Sequence, residues 1–131
     1  VSLKNLVNNS GVVAADVTGV GTARYRLAAA SYGVGLAIFG YGDSGSLTAI
    51  TNKVNSSGVV ASDTSGVGTA RGQLAATKFG GDKAIFGYGS ASGAAFSSMT
   101  NLISNTGVAA SDVTGVGSGR NDLAAAGFSY S

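Results

Sequence analysis

The chain has 131 residues, 44% of them apolar and only 11% charged, with a formal net charge of +2. That length suffices for one domain with its own core, and high apolar content with low charge argues against disorder. His, Cys, Pro, Trp and Glu are absent, which excludes disulfides, thiolate or imidazole metal sites, and the His- or Cys-based triads and dyads of nucleophilic catalysis.

The chain opens with Leu3, Leu6 and Val7 among polar residues and closes that block with Asn8-Asn9-Ser10. The same block returns at 50–57 and at 99–106, so Asn5, Asn52 and Asn101 fall at one repeat position. Asn8 and Asn55 each open an Asn-x-Ser triplet. This matches a glycosylation acceptor but equally a polar turn, and the turn is the expectation. Next comes Gly11-Val-Val-Ala-Ala15, echoed at 58–62 and 107–111. The nine residues Asp16-Val-Thr-Gly-Val-Gly-Thr-Ala-Arg24 follow, and they return as Asp63 to Arg71 and Asp112 to Arg120. From Asp16 to Asp63 is 47 residues and from Asp63 to Asp112 is 49, a period that marks a repeat architecture.

After the first signature comes an Ala-rich run, Leu27-Ala-Ala-Ala30, paralleled by Leu74-Ala-Ala76. Alanine favours helix, but Gly bounds each run within a span too short for a stable helix. The expectation is an extended strand whose small side chains admit close packing. Leu36-Ala-Ile-Phe-Gly-Tyr-Gly42 and its partner Lys83 to Gly89 are short apolar runs bounded by turn residues, as are the Gly-Val-Val runs. All of these read as buried strands. The 22 Gly sit at fixed repeat positions without a three-residue period, which excludes collagen and indicates tight turns.

Four short strands per repeat of about 47 residues predict an all-β fold, a β-propeller segment of slightly under three blades. The repeats run over about 1–46, 47–94 and, incomplete, 95–131, within a single repeat domain 1–131. The run Lys83-Ala-Ile-Phe-Gly-Tyr-Gly89 resembles the aliphatic strand with paired glycines of a kelch repeat, with Tyr41 and Tyr88 standing between the glycines. The stretch ending in Arg is similar to the kelch segment that ends in Arg. The resemblance implies kelch-like blades. Self-similar repeats of this style also look like those of phage virion and tail-associated proteins, which favours an extracellular or virion-associated location over a cytoplasmic one. The Phe-Gly-Tyr-Gly strand occurs only twice against three signatures. Propellers have roughly four to eight blades, so the ring needs another copy of the chain or flanking repeats of a longer one.

Three motif look-alikes are set aside. Asp63-Thr-Ser-Gly66 is one residue too long for an aspartic protease motif, Gly19-Val-Gly21 lacks the third Gly of a dinucleotide loop, and Asp43-Ser-Gly-Ser46 lacks the carboxylates of a Ca²⁺ loop. The charged constellation is Asp16, Asp63 and Asp112 with Arg24, Arg71 and Arg120, each Arg eight residues after its Asp. Its structural reading is a guanidinium bonding the carboxylate or loop carbonyls within or between blades. Its functional reading is a ring of Arg that meets an anion or an acidic sugar. Tyr25, Tyr41 and Tyr88 are the candidate stacking aromatics for sugars, against the ordinary reading that such rings fill the core. No catalytic residue, metal site or cofactor is expected. The basic residues are scattered, so no nucleic-acid partner is expected, and no stretch of transmembrane-helix length points to a membrane. The sequence thus reads as a non-enzymatic structural or binding module, with a carbohydrate-binding propeller as the alternative.

Overall fold

The glycine-bounded apolar runs become short strands that pair with their nearest neighbours. A computed structural model of the chain describes residues 2–92 and 95–128, which contain β-structure and no α-helix. Strands β1 (Ala28–Tyr32), β2 (Leu36–Gly40) and β3 (Thr51–Val54) form one antiparallel sheet in chain order. Strands β4 (Ala75–Phe79), β5 (Lys83–Gly87) and β6 (Thr100–Ile103) form a second. The registers correspond: Ala30 faces Ile38 and Phe39 faces Asn52 in the first sheet, Thr77 faces Ile85 and Phe86 faces Asn101 in the second.

The Ala runs at 28–30 and 75–76 are extended. The run at 124–126 joins no strand and is exposed. Small side chains serve the contact between sheets, because β1 lies against β4 and β5. Gly33 and Gly35 turn the first hairpin and Gly80 and Gly81 the second, all at positive φ. Beyond β2, Tyr41 stands at φ 64° and Gly42 at φ 97°, and Tyr88 and Gly89 repeat both values. A tyrosine in the left-handed region is uncommon and persists only where its surroundings hold it.

A fourth extended segment pairs with the outer edge of the third strand through isolated bridges, Val54 with Val60 and Thr51 with Thr64. Ile103 with Ala109 and Thr100 with Val113 repeat this, as do Val7 with Val13 and Lys4 with Val17. The turn into it is built on Asn55, whose Oδ1 accepts from the amides of Ser57 and Val59 at 3.0 and 2.9 Å. Asn8 accepts in the same way from Ser10 and Val12, so both Asn-x-Ser triplets form polar turns. The Gly-Val-Val runs depart from expectation. Val12, Val13, Val59 and Val108 are exposed, because the fourth segment lies at the sheet rim and is covered from one side at most.

The sheets also fall out of phase with the sequence repeats. β3 follows residue 46 yet belongs with β1 and β2, so one structural unit runs from the end of one signature to the Asp of the next. Two such units are complete. Residues 3–17 correspond to the last two segments of such a unit, and residues 118–128 match its opening in sequence.

The core lies between the two sheets. Ala28, Tyr32, Ile38 and Tyr41 of the first meet Leu74, Ala84, Phe86 and Ile103 of the second. The Tyr41 and Phe86 rings sit 5.3 Å apart, tilted by 50°. Gly40 is required here, since a Cβ on it would lie 3.0 Å from the Phe86 ring. The packing is head to tail: the inner face of the first sheet meets the face of the second that corresponds to the first sheet's own outer face. Phe39, the counterpart of Phe86, lies on that outer face.

Candidate functional site

Each complete unit carries one polar cluster assembled from three places in the sequence. In the second unit Arg71 is fully buried. Its Nη2 donates to Asn101 Oδ1 at 2.6 Å, its Nε to the Tyr88 carbonyl at 2.9 Å and its Nη1 to the Thr69 carbonyl at 3.2 Å. Asn101, also buried, passes the connection on, donating from Nδ2 to Asp112 Oδ1 at 2.9 Å and to the Ala110 carbonyl at 3.1 Å. The Thr69 amide and hydroxyl donate to the same carboxylate, the hydroxyl at 2.7 Å, and Arg71 Nη1 stands 3.5 Å from it.

The first unit repeats the cluster with Arg24, Asn52, Asp63 and Thr22. Arg24 Nη2 donates to Asn52 Oδ1, Nη1 to the Ile50 carbonyl at 2.8 Å, and Asn52 Nδ2 to Asp63 Oδ1 at 2.7 Å. The Thr22 hydroxyl completes it at 2.7 Å from Asp63. Gly21 and Gly68, at φ 84° and 78°, let the backbone approach. A Cβ on either would run into the Asp carboxylate and the Asn amide. The Arg of one signature is thus joined to the Asp of the next, Arg24 through Asn52 and Arg71 both through Asn101 and directly, and not to the Asp eight residues before it.

At the two ends the cluster is half present. Asn5 Nδ2 donates to Asp16 Oδ1 at 2.8 Å and to the Ala14 carbonyl at 3.0 Å, with no Arg beside them. Arg120 is exposed: its guanidinium lies 4.3 Å from the centroid of the Tyr88 ring, and its backbone bonds Gly89 and Ser97. The six predicted Asp and Arg positions are therefore brought together in two pairs, Arg24 with Asp63 and Arg71 with Asp112, while Asp16 and Arg120 stand apart. Asn52 and Asn101 are the hubs that charge-based reading passes over. Their recurrence with Asn5 at one repeat position is the signal that marks them.

The hydrogen bonds set the ionisation. Donation from Asn52 and Thr22 holds the Asp63 carboxyl below its ordinary value near 3.8. Burial works against the charge of Asp112, but donation from Thr69 and Asn101, with Arg71 close by, outweighs it and lowers that group as well. A carboxyl depressed on folding adds stability that is complete above its unfolded pKa near 3.8 and is lost as the pH falls through its lower folded value. Thermal melts followed by circular dichroism should therefore show a steady Tm from neutral pH to about 4, then a fall. The double variant Asp63→Asn, Asp112→Asn should start lower and fall less. Equal acid sensitivity in both chains would remove these carboxylates from the account.

The candidate stacking rings are not equivalent. Tyr41 is fully buried and burial pushes its phenol up to about 12. It fills the sheet junction, and no face is left for a sugar. Tyr88 is half-buried beneath Arg120. Tyr25 is 54% exposed, with its hydroxyl 3.0 Å from Asp43 Oδ2 and the Arg26 guanidinium 5.2 Å from its ring centroid. Gly72 and Asn121 hold its repeat position, so this aromatic site occurs once. Among the described residues, no three His, Cys, Asp or Glu side chains gather in a way that could hold a metal ion. A cavity of about 210 Å³ opens beside the first cluster, lined by Arg24, Asn52, Phe39, Leu27 and Val20 together with Leu3 and Lys4.

No protein-family model matches the chain, and no curated protein is similar to it in sequence.

Proposed function

We propose that this chain is a non-enzymatic structural module, made of propeller-type blades in the kelch manner, that assembles by stacking its sheet faces with further repeats, its own copies or flanking ones. One observation carries the reading. Phe86 is fully buried at the junction between sheets, while its counterpart Phe39 is 37% exposed on a face of the same design. A head-to-tail contact consumes one face and presents another, so it continues into a closed ring or an open stack. The antiparallel units and the adjacent Ala-rich first strands support a radial arrangement, in which small residues suit the crowded axis. The buried, fully bonded Arg71 supports a structural role for the Arg and Asp positions. Virion-type or other extracellular assemblies, as the resemblance implies, are the setting proposed.

Light scattering on the 131-residue chain at micromolar concentration tests this, with a mass of more than one chain as the expected result. A soluble monomer would overturn self-assembly. The carbohydrate-binding alternative is tested by a glycan array, which should stay blank. Multivalent binding there would replace the structural reading.

A further inference from the structure

Resting on the reading of the chain as a stacking module, we propose that the cavity beside Arg24 and Phe39 is a socket for one tyrosine. That tyrosine belongs to the Phe-Gly-Tyr-Gly strand of a further repeat.

The internal junction shows what such a socket holds. Tyr41 leaves the first sheet at its left-handed turn and enters the second unit. There its ring lies 4.8 Å beneath the Arg71 guanidinium and 5.3 Å from the Phe86 ring, and its hydroxyl donates to the Val67 carbonyl at 3.2 Å. Leu74 joins the same buried cluster. Tyr88 repeats two of these contacts one unit later, with Arg120 over its ring and its hydroxyl 3.1 Å from the Val116 carbonyl. The recognition set is thus an Arg plane, a Phe ring, a Leu and one carbonyl acceptor.

Moving back one period turns Arg71, Phe86, Val67 and Leu74 into Arg24, Phe39, Val20 and Leu27. All four line the cavity, and no tyrosine of the described residues enters it. The remaining wall comes from Ser2, Leu3, Lys4 and Gly19 near the start of the sequence, together with Thr22, Asn52 and Val60. Within this chain Tyr41 is seated at the internal junction, and Tyr88 lies half-buried beneath Arg120. Cation–π attraction, aromatic packing and a satisfied hydroxyl favour tyrosine over an aliphatic side chain.

The probe is the peptide Leu-Ala-Ile-Phe-Gly-Tyr-Gly, the sequence of residues 36–42, with a fluorescein-labelled lysine tail, titrated with the full chain by anisotropy. Saturable binding is expected. Changing its Tyr to Phe should weaken binding about three- to tenfold, the loss of one hydrogen bond, and changing it to Ala by more than about tenfold. Arg24 also holds Asn52, so Arg24→Ala risks the fold. Phe39→Ala is the better variant, and with an unchanged dichroism spectrum it should weaken binding by about tenfold or more. No binding, or equal binding of the Ala peptide, would overturn the socket. N-acetyltyrosinamide competing as tightly as the peptide would overturn the strand as occupant and assign a small phenol instead. Peptide binding by a chain that stays monomeric sinks self-assembly and leaves the socket standing. Assembly without peptide binding does the reverse.

Discussion

Arg71→Ala should lower the stability of the fold by about 2–4 kcal/mol, the loss of a buried charged donor group whose carbonyl and amide acceptors are left unsatisfied. The side chain is fully buried and supplies donors to Asn101, the Tyr88 carbonyl, the Thr69 carbonyl and Asp112. Deleting it takes this donor from Asn101 Oδ1 and from the Tyr88 and Thr69 carbonyls and uncovers the Tyr41 ring, while Asp112 keeps its bonds from Thr69 and Asn101. An unmade buried hydrogen bond costs more than a made one contributes, so the loss exceeds a simple sum of bonds. Arg120→Ala is the internal control. This Arg occupies the same repeat position but is exposed, with a single ring contact, and its loss should cost no more than about 1 kcal/mol. Arg71→Lys should recover only part of the deficit, because an ammonium cannot reproduce the fork geometry. Urea unfolding midpoints decide among these values. Equal midpoints for Arg71→Ala and Arg120→Ala would show that the cluster does not hold the fold.

Phe86→Ala is the second large effect, expected at about 3–5 kcal/mol for a buried aromatic ring whose cavity cannot fully collapse. Phe86 packs on Tyr41 and against Gly40, and both are buried. Phe39→Ala makes the same chemical change at the equivalent position of the first sheet, where the ring is 37% exposed. In the isolated chain it should cost roughly 1–2 kcal/mol, in proportion to the smaller area removed from water. The contrast separates intrinsic strand preference from packing, since sequence context and register match. If the chain assembles through the face that carries Phe39, that substitution should instead appear as weaker association at unchanged unfolding cooperativity. Equal losses at both positions in a monomeric chain would mean that the outer face is already covered.

The repeat period, the all-β character and the extended Ala runs at 28–30 and 75–76 are determined by the sequence itself. Glycines at fixed spacing cut every apolar run to strand length, and no helix can nucleate in so short a span. The Asn-x-Ser turns are equally local, since Asn8 and Asn55 bond amides only a few residues ahead. Tertiary structure decided what the local pattern leaves open. Asp16 lies closer in sequence to Arg24 than Asp63 does, yet Arg24 is joined to Asp63 through Asn52, because the strand pairing of Phe39 with Asn52 carries the following segment to it. The same period gives Tyr41 and Tyr88 the same φ but different burial, because among the described residues only Tyr41 has a second sheet packed against it. Val12 and Val59 are as apolar as Ile38, yet they lie at a rim that nothing covers. Burial belongs to a residue's neighbours in space, and a repeat confers the same residue on every unit without conferring the same neighbours.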